Sequence, residues 1–80
     1  MKEGYVVMDT YYGEIYGVYK SEKAAERHLR KVVRYQYGSC PRDLSKLWEL
    51  GGTIGTKWEG VADLQVVHFE ENLGEGGEKQ

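Results

Sequence analysis

A chain of 80 residues amounts to one domain, and a domain this small buries only about 60% of its unfolded surface, so one compact core must hold it together. With 40% hydrophobic and 30% charged residues it is too apolar to be disordered, and its net charge of −2 argues against tight, non-specific coating of nucleic acid. Its apolar runs are only a few residues long, which excludes a membrane-spanning helix, and no positively charged start leads into such a run, so no secretory signal is expected.

The single cysteine, Cys40, cannot form an internal disulfide, and the expected compartment is a reducing cytoplasm. Seven tyrosines, two tryptophans and one phenylalanine are an unusual load for so short a chain. Tyrosine packs its ring while its hydroxyl stays wet, so it suits both a small core and a contact surface.

Along the chain, Tyr5 to Thr10 is rich in β-branched and aromatic residues and predicts a strand. Tyr11-Tyr12-Gly13 is a short loop in which Gly13 supplies the positive φ. Glu14 to Tyr19 returns as the partner strand, with Ile15, Gly17 and Tyr19 expected on one face and Tyr16 and Val18 on the other. Gly17 marks a bulge or a close backbone contact.

Ser21 is a helix N-cap, followed by Glu22 at the positive end of the helix dipole. The helix runs to about Gln36, with Ala25, Leu29, Val32 and Val33 as its apolar stripe and Gly38 as its C-terminal stop. Pro41 fits the first turn of a second, shorter helix that buries Leu44, Leu47 and Trp48 and ends at Gly51-Gly52. Residues 53–58 are left open between a short strand and a loop. Glu59-Gly60 reads as a turn, and Val61 to Glu70 as a strand.

The expected fold is therefore α+β: a small antiparallel sheet of three or four strands, one long helix packed on it and a second short helix, in the order ββα(α)ββ. A strongly bent, barrel-like sheet with the helix beside it is the alternative. The compact domain spans 1–71, and the acidic, glycine-rich 72–80 has almost nothing to bury and is expected to be a disordered tail.

Tyr5-Val-Val, followed by Gly13-Glu-Ile-Tyr-Gly-Val-Tyr-Lys-Ser-Glu-Lys-Ala-Ala-Glu-Arg27, resembles a pattern that recurs in small uncharacterised proteins of bacteriophages and their hosts. Those begin with a strand, a turn, a strand ending "GVY/F-x-S" and a helix of the "EKAAE" type. The likeness covers roughly half the chain, and the stretch from Gly38 to Gly60 departs from the shorter members. No shared activity or functional residue comes with it. What it implies is a phage-like origin, hence a regulator or inhibitor rather than a metabolic enzyme, acting in the host cytoplasm.

Candidate chemistry is sparse. His28, Cys40 and His68 are the only imidazole and thiol ligands and no two stand at metal-ligand spacing, so no metal or cofactor is expected. Cys40, if it opened a helix, could have a lowered pKa and act as a nucleophile; the plainer reading is a small buried loop residue. Asp9, Glu14, Glu59 and Asp63 could approach one another across strands, but glycosidase-like use of them needs a cleft. The glycine-rich stretch from Gly51 to Lys57 lacks the ending of a phosphate loop.

Charge is the strongest signal. Residues 20–46 hold eight basic and three acidic side chains, leaving three basic and ten acidic elsewhere, so +5 here is set against −7 in the remainder. Lys23, Arg27, Arg30, Lys31 and Arg34 fall on one broad helical face, with Tyr35 and Tyr37 at its end. Tyr11 and Tyr12 sit at a hairpin tip, where at most one could fold back onto the sheet.

The favoured reading is a non-enzymatic protein that binds a host macromolecule, first of all a host protein, through Arg27, Arg30, Lys31, Arg34, Tyr11 and Tyr12. A nucleic-acid-binding regulator using the same helix is the alternative. A nucleotide-sized ligand site, or a small enzyme with its site at a subunit interface, comes third. No membrane partner is expected, and an edge strand could pair with its copy in a homodimer.

Overall fold

In the computed structural model, which describes residues 2–52 and 54–71, three antiparallel strands form one sheet. They are β1 (Lys2–Asp9), β2 (Glu14–Tyr19) and β3 (Leu64–Glu71), in the spatial order β2-β1-β3. The helices are α1 (Glu22–Tyr37) and α2 (Lys46–Gly51), and a single 3-10 turn, Val61–Asp63, leads into β3. This is the α+β arrangement expected, as an open sheet rather than a barrel. Residues 54–60 are turns, so the sheet has three strands among the described residues. The expected tail, 72–80, lies outside the described residues.

Local chemistry accounts for the ends of α1. The Ser21 hydroxyl accepts from the Ala24 N–H at 3.2 Å, satisfying one of the first-turn donors that has no partner within the helix. At the other end Gly38, at φ 88°, turns its N–H back to the Arg34 carbonyl, a conformation that would strain a side chain. The apolar stripe Ala25, Leu29, Val32 and Val33 is buried as expected, and meets Val7 and Leu64 from the sheet with Leu47 and Val61 closing one side. Each Å² of apolar surface removed from water there stabilises the fold by about 25 cal/mol, and the half-buried rings of Tyr5, Tyr16, Tyr19, Tyr37 and Trp58 pack around the cluster.

Three local readings are corrected. β2 does not alternate simply: Val7 pairs with Gly17 but Met8 pairs with Ile15, so Tyr16 is an extra residue in a bulge. Tyr16 and Tyr19 both pack toward α1, while Ile15 and Val18 face away from it. Gly17 does mark the bulge. Second, α2 begins at Lys46 rather than at Pro41. Asp43 Oδ1 accepts from the Ser45 N–H and hydroxyl at 3.0 and 2.8 Å, and the Asp43 carbonyl accepts from Lys46 N–H at 3.0 Å. That turn delays the helix, and it leaves Leu47 buried, Leu44 half-buried and Trp48 71% exposed.

The strand expected from Val61 also starts three residues later. Gly60, at φ 90°, tightens the chain into the 3-10 turn first. Among the described residues no helix is long and apolar enough to cross a membrane.

Candidate functional site

Burying one side of α1 fixes what the other side presents. Arg27, Lys31 and Arg34 are exposed on the side away from the sheet, with Lys23 one turn earlier. Among the described residues the contacts between acidic and basic side chains are the Lys46–Glu49 ion pair and a 3.1 Å hydrogen bond between Glu3 and His68, and neither involves a cation of α1. Arg30 differs from its neighbours: it is half-buried, and its Nη2 donates to the Arg42 carbonyl at 3.4 Å. Its guanidinium supports the loop after α1, so of the four helix cations expected to make contact it is the least free.

The hairpin tip is held from below. Asp9 Oδ1 accepts from the N–H groups of Tyr11 and Tyr12 at 2.9 and 3.0 Å, and the Asp9 carbonyl accepts from Gly13 N–H at 2.8 Å. Thr10 adds a clasp to the other side of the sheet, donating through both its N–H and its hydroxyl to the Asp63 carbonyl. On this fixed backbone neither tyrosine folds back: they are 73% and 79% exposed and meet edge to face at 4.8 Å. An aromatic pair presented on a rigid turn loses little entropy when it meets a partner.

The hairpin tip and the C-terminal turns of α1 share one end of the molecule. Gln36 Nε2 donates to the Tyr16 hydroxyl at 3.0 Å, which donates to Glu14 Oε1 at 3.1 Å, tying the last turns of α1 to the strand that leaves the tip. The Gln36 bond favours Tyr16 phenolate, but burial and the carboxylates of Glu14 and Asp9 outweigh it and leave its pKa raised. Arg34 and Tyr35 therefore stand at the tip end, while Arg27 lies about two helical turns, or ~10 Å, further back.

Between β2 and α1 runs an open groove of about 310 Å³ lined by Tyr16, His28, Lys31, Val32, Tyr35 and Gln36. Tyr35, 90% exposed, forms its outer lip. This groove was not foreseen, because it depends on the bulge that turns Tyr16 toward α1. A second open groove, about 350 Å³, lies between α1, α2 and β3 with Leu29 and Leu64 in its floor, Trp48 on one wall and Glu22 and Glu26 on its rim.

The other polar residues singled out in the sequence have local tasks. Cys40 is half-buried in the loop after α1, and its Sγ donates to the Pro41 carbonyl at 3.4 Å. Burial pushes its pKa up despite Arg30 and Arg34 nearby, and α2 starts six residues later, so the low-pKa thiol at a helix start is not found. Glu59 Oε1 accepts from Gly55 N–H and Asp9 holds the tip, so these carboxylates brace turns. His68 packs on Tyr5 and His28 on Tyr19, at ring separations of 4.9 and 5.3 Å. Among the described residues no three His, Cys, Asp or Glu side chains gather as a metal site.

Comparison with protein-family models, with curated proteins and with solved structures finds no match to this chain.

Proposed function

We propose that this chain is a non-enzymatic binding protein that covers an acidic surface of a macromolecular partner, with α1 supplying the charge and the hairpin tip the aromatic anchors. In the phage-type reading the partner is a host protein and the effect is regulatory or inhibitory. The observation that carries this reading is a basic side of α1 with no ion pair among the described residues, in a chain where acidic residues outnumber basic ones, 13 to 11. Like charges three and four residues apart on a helix cost a few tenths of a kcal/mol per pair. Lys23–Arg27, Arg27–Lys31 and Arg30–Arg34 are such pairs, so the stripe is a small burden on the fold, and a partner gives it a reason to be there. Charge of this kind speeds and orients encounter, and exposed tyrosines lengthen residence.

The test is capture from nuclease-treated bacterial lysate by the wild-type chain and by the combined Arg27→Glu, Lys31→Glu, Arg34→Glu variant, with Arg30 kept because it braces the loop. One protein retained by the wild type and lost by the variant supports the reading. Equal retention by both makes the stripe an ordinary solvated face.

A nucleic-acid partner is the second reading, favoured by the position of Lys31 and Tyr35 on the lip of the groove that also holds the Tyr16 ring. A ring to stack on beside cations is what single strands use. Binding of an oligothymidylate should then weaken steeply as salt rises. A response flat in salt removes this reading.

A further inference from the structure

The sheet has two apolar faces, and α1 covers one. On the other face Val18, Val6 and Val67 form a row across all three strands, because Val6 pairs with both of the others. Ile15 and Met8 make the next row, which Gln65 ends on β3, and the Phe69 ring lies over Gly4, where an added Cβ would stand 2.7 Å from it. Ile15 and Val18 are each 60% exposed, and Phe69 is exposed as well. These are not single scattered apolar residues but neighbours on one rigid surface, a patch of the size that on a monomer is often a contact site.

We infer that this face is covered by the same face of a second copy, giving a two-fold symmetric sandwich. Strands about 4.8 Å apart and roughly 23 Å long present about 350 Å² in projection. With side-chain relief, two such faces bury on the order of 1,000 Å² in total, the lower limit for a specific, reversible association. A second copy suits the patch because its central row is aliphatic across all three strands, so an aligned sheet-on-sheet packing about a two-fold axis sets the valine row of one copy against that of the other. The dimer uses the sheet face, not the strand edges, and both basic sides of α1 remain outward on opposite sides. It would therefore be bivalent for any partner of α1.

The experiment is sedimentation velocity of the full chain from about 5 to 500 µM, the range in which so small an interface associates. The wild type should shift from monomer toward twice the monomer mass. The Ile15→Lys, Val18→Lys variant should associate at least about tenfold more weakly, since it faces like charges across the axis. Circular dichroism should match the wild type, because both positions lie outside the core. A wild type that stays monomeric throughout overturns the inference, as does a dimer that the variant leaves intact, which would place the contact at an edge strand. Capture of a partner through α1 is read separately, so losing the dimer does not decide that question.

Discussion

The two sides of α1 are built from the same sixteen residues to opposite ends. One side, from Ala25 to Val33, is packed out of water against the sheet; the other carries Arg27, Lys31 and Arg34 into it, with no ion pair among the described residues. The first side decides whether the chain folds. The second carries charge that the fold does not use, and the fold tolerates it because surface ion pairs contribute so little that missing ones are barely felt.

Substitutions can sharpen this contrast. The largest effect is expected from Leu29→Ala, which leaves a cavity beneath the helix and should lower unfolding free energy by about 2–5 kcal/mol in urea titration; a loss below ~1 kcal/mol would mean the core is not where we place it. Ser21→Ala removes the cap on which the helix starts and should cost about 1 kcal/mol, read from the same titration. Arg30 stands between the two sides: Arg30→Ala gives up the bond to the Arg42 carbonyl and should cost about 0.5 kcal/mol, whereas Arg27→Ala should be neutral. If the two arginines behave alike, the distinction between them falls.

The smallest effect is on Cys40, beside the basic side. A raised thiol pKa means less thiolate than an ordinary cysteine holds, so alkylation at pH 8 should be slower in the folded chain than in urea. The sign for stability follows: the folded state keeps this proton more tightly, so its contribution is present below pH 9.0 and declines as pH rises above it. Folded and unfolded chains that react at the same rate would contradict this.

The parts legible in the sequence are those written in neighbouring residues. Ser21, the 3.6-residue apolar stripe and Gly38 define α1 almost to the residue, and Gly13 marks the hairpin loop, because caps, periodicity and positive φ are local properties. What was not legible depends on residues far apart. The bulge at Tyr16 arises from the register between β1 and β2, and one extra residue there changes which side chains face α1, exposing Ile15 and opening the groove by Tyr35. α2 is only six residues long, so Leu44, Leu47 and Trp48 fit more than one buried side, and the Asp43 turn outweighed the Pro41 signal. For the proposed contact set, the stripe was readable as spacing. That Arg30 is partly committed, and that both tip tyrosines stay exposed, came only with the backbone that holds them.

The central claim is that the basic side of α1 is dispensable to the fold, and equilibrium urea unfolding of the Arg27→Glu, Lys31→Glu, Arg34→Glu variant beside the wild type tests it most directly. Unfolding free energies within about 0.5 kcal/mol of each other are expected: the like-charge repulsion around position 31 is the same size in both chains, and the attraction of the new carboxylates at 27 and 34 to Lys23 and Arg30 is offset by placing a carboxylate in the last turn of α1, against the helix dipole. A loss approaching that of Leu29→Ala would contradict the claim and return the stripe to the fold.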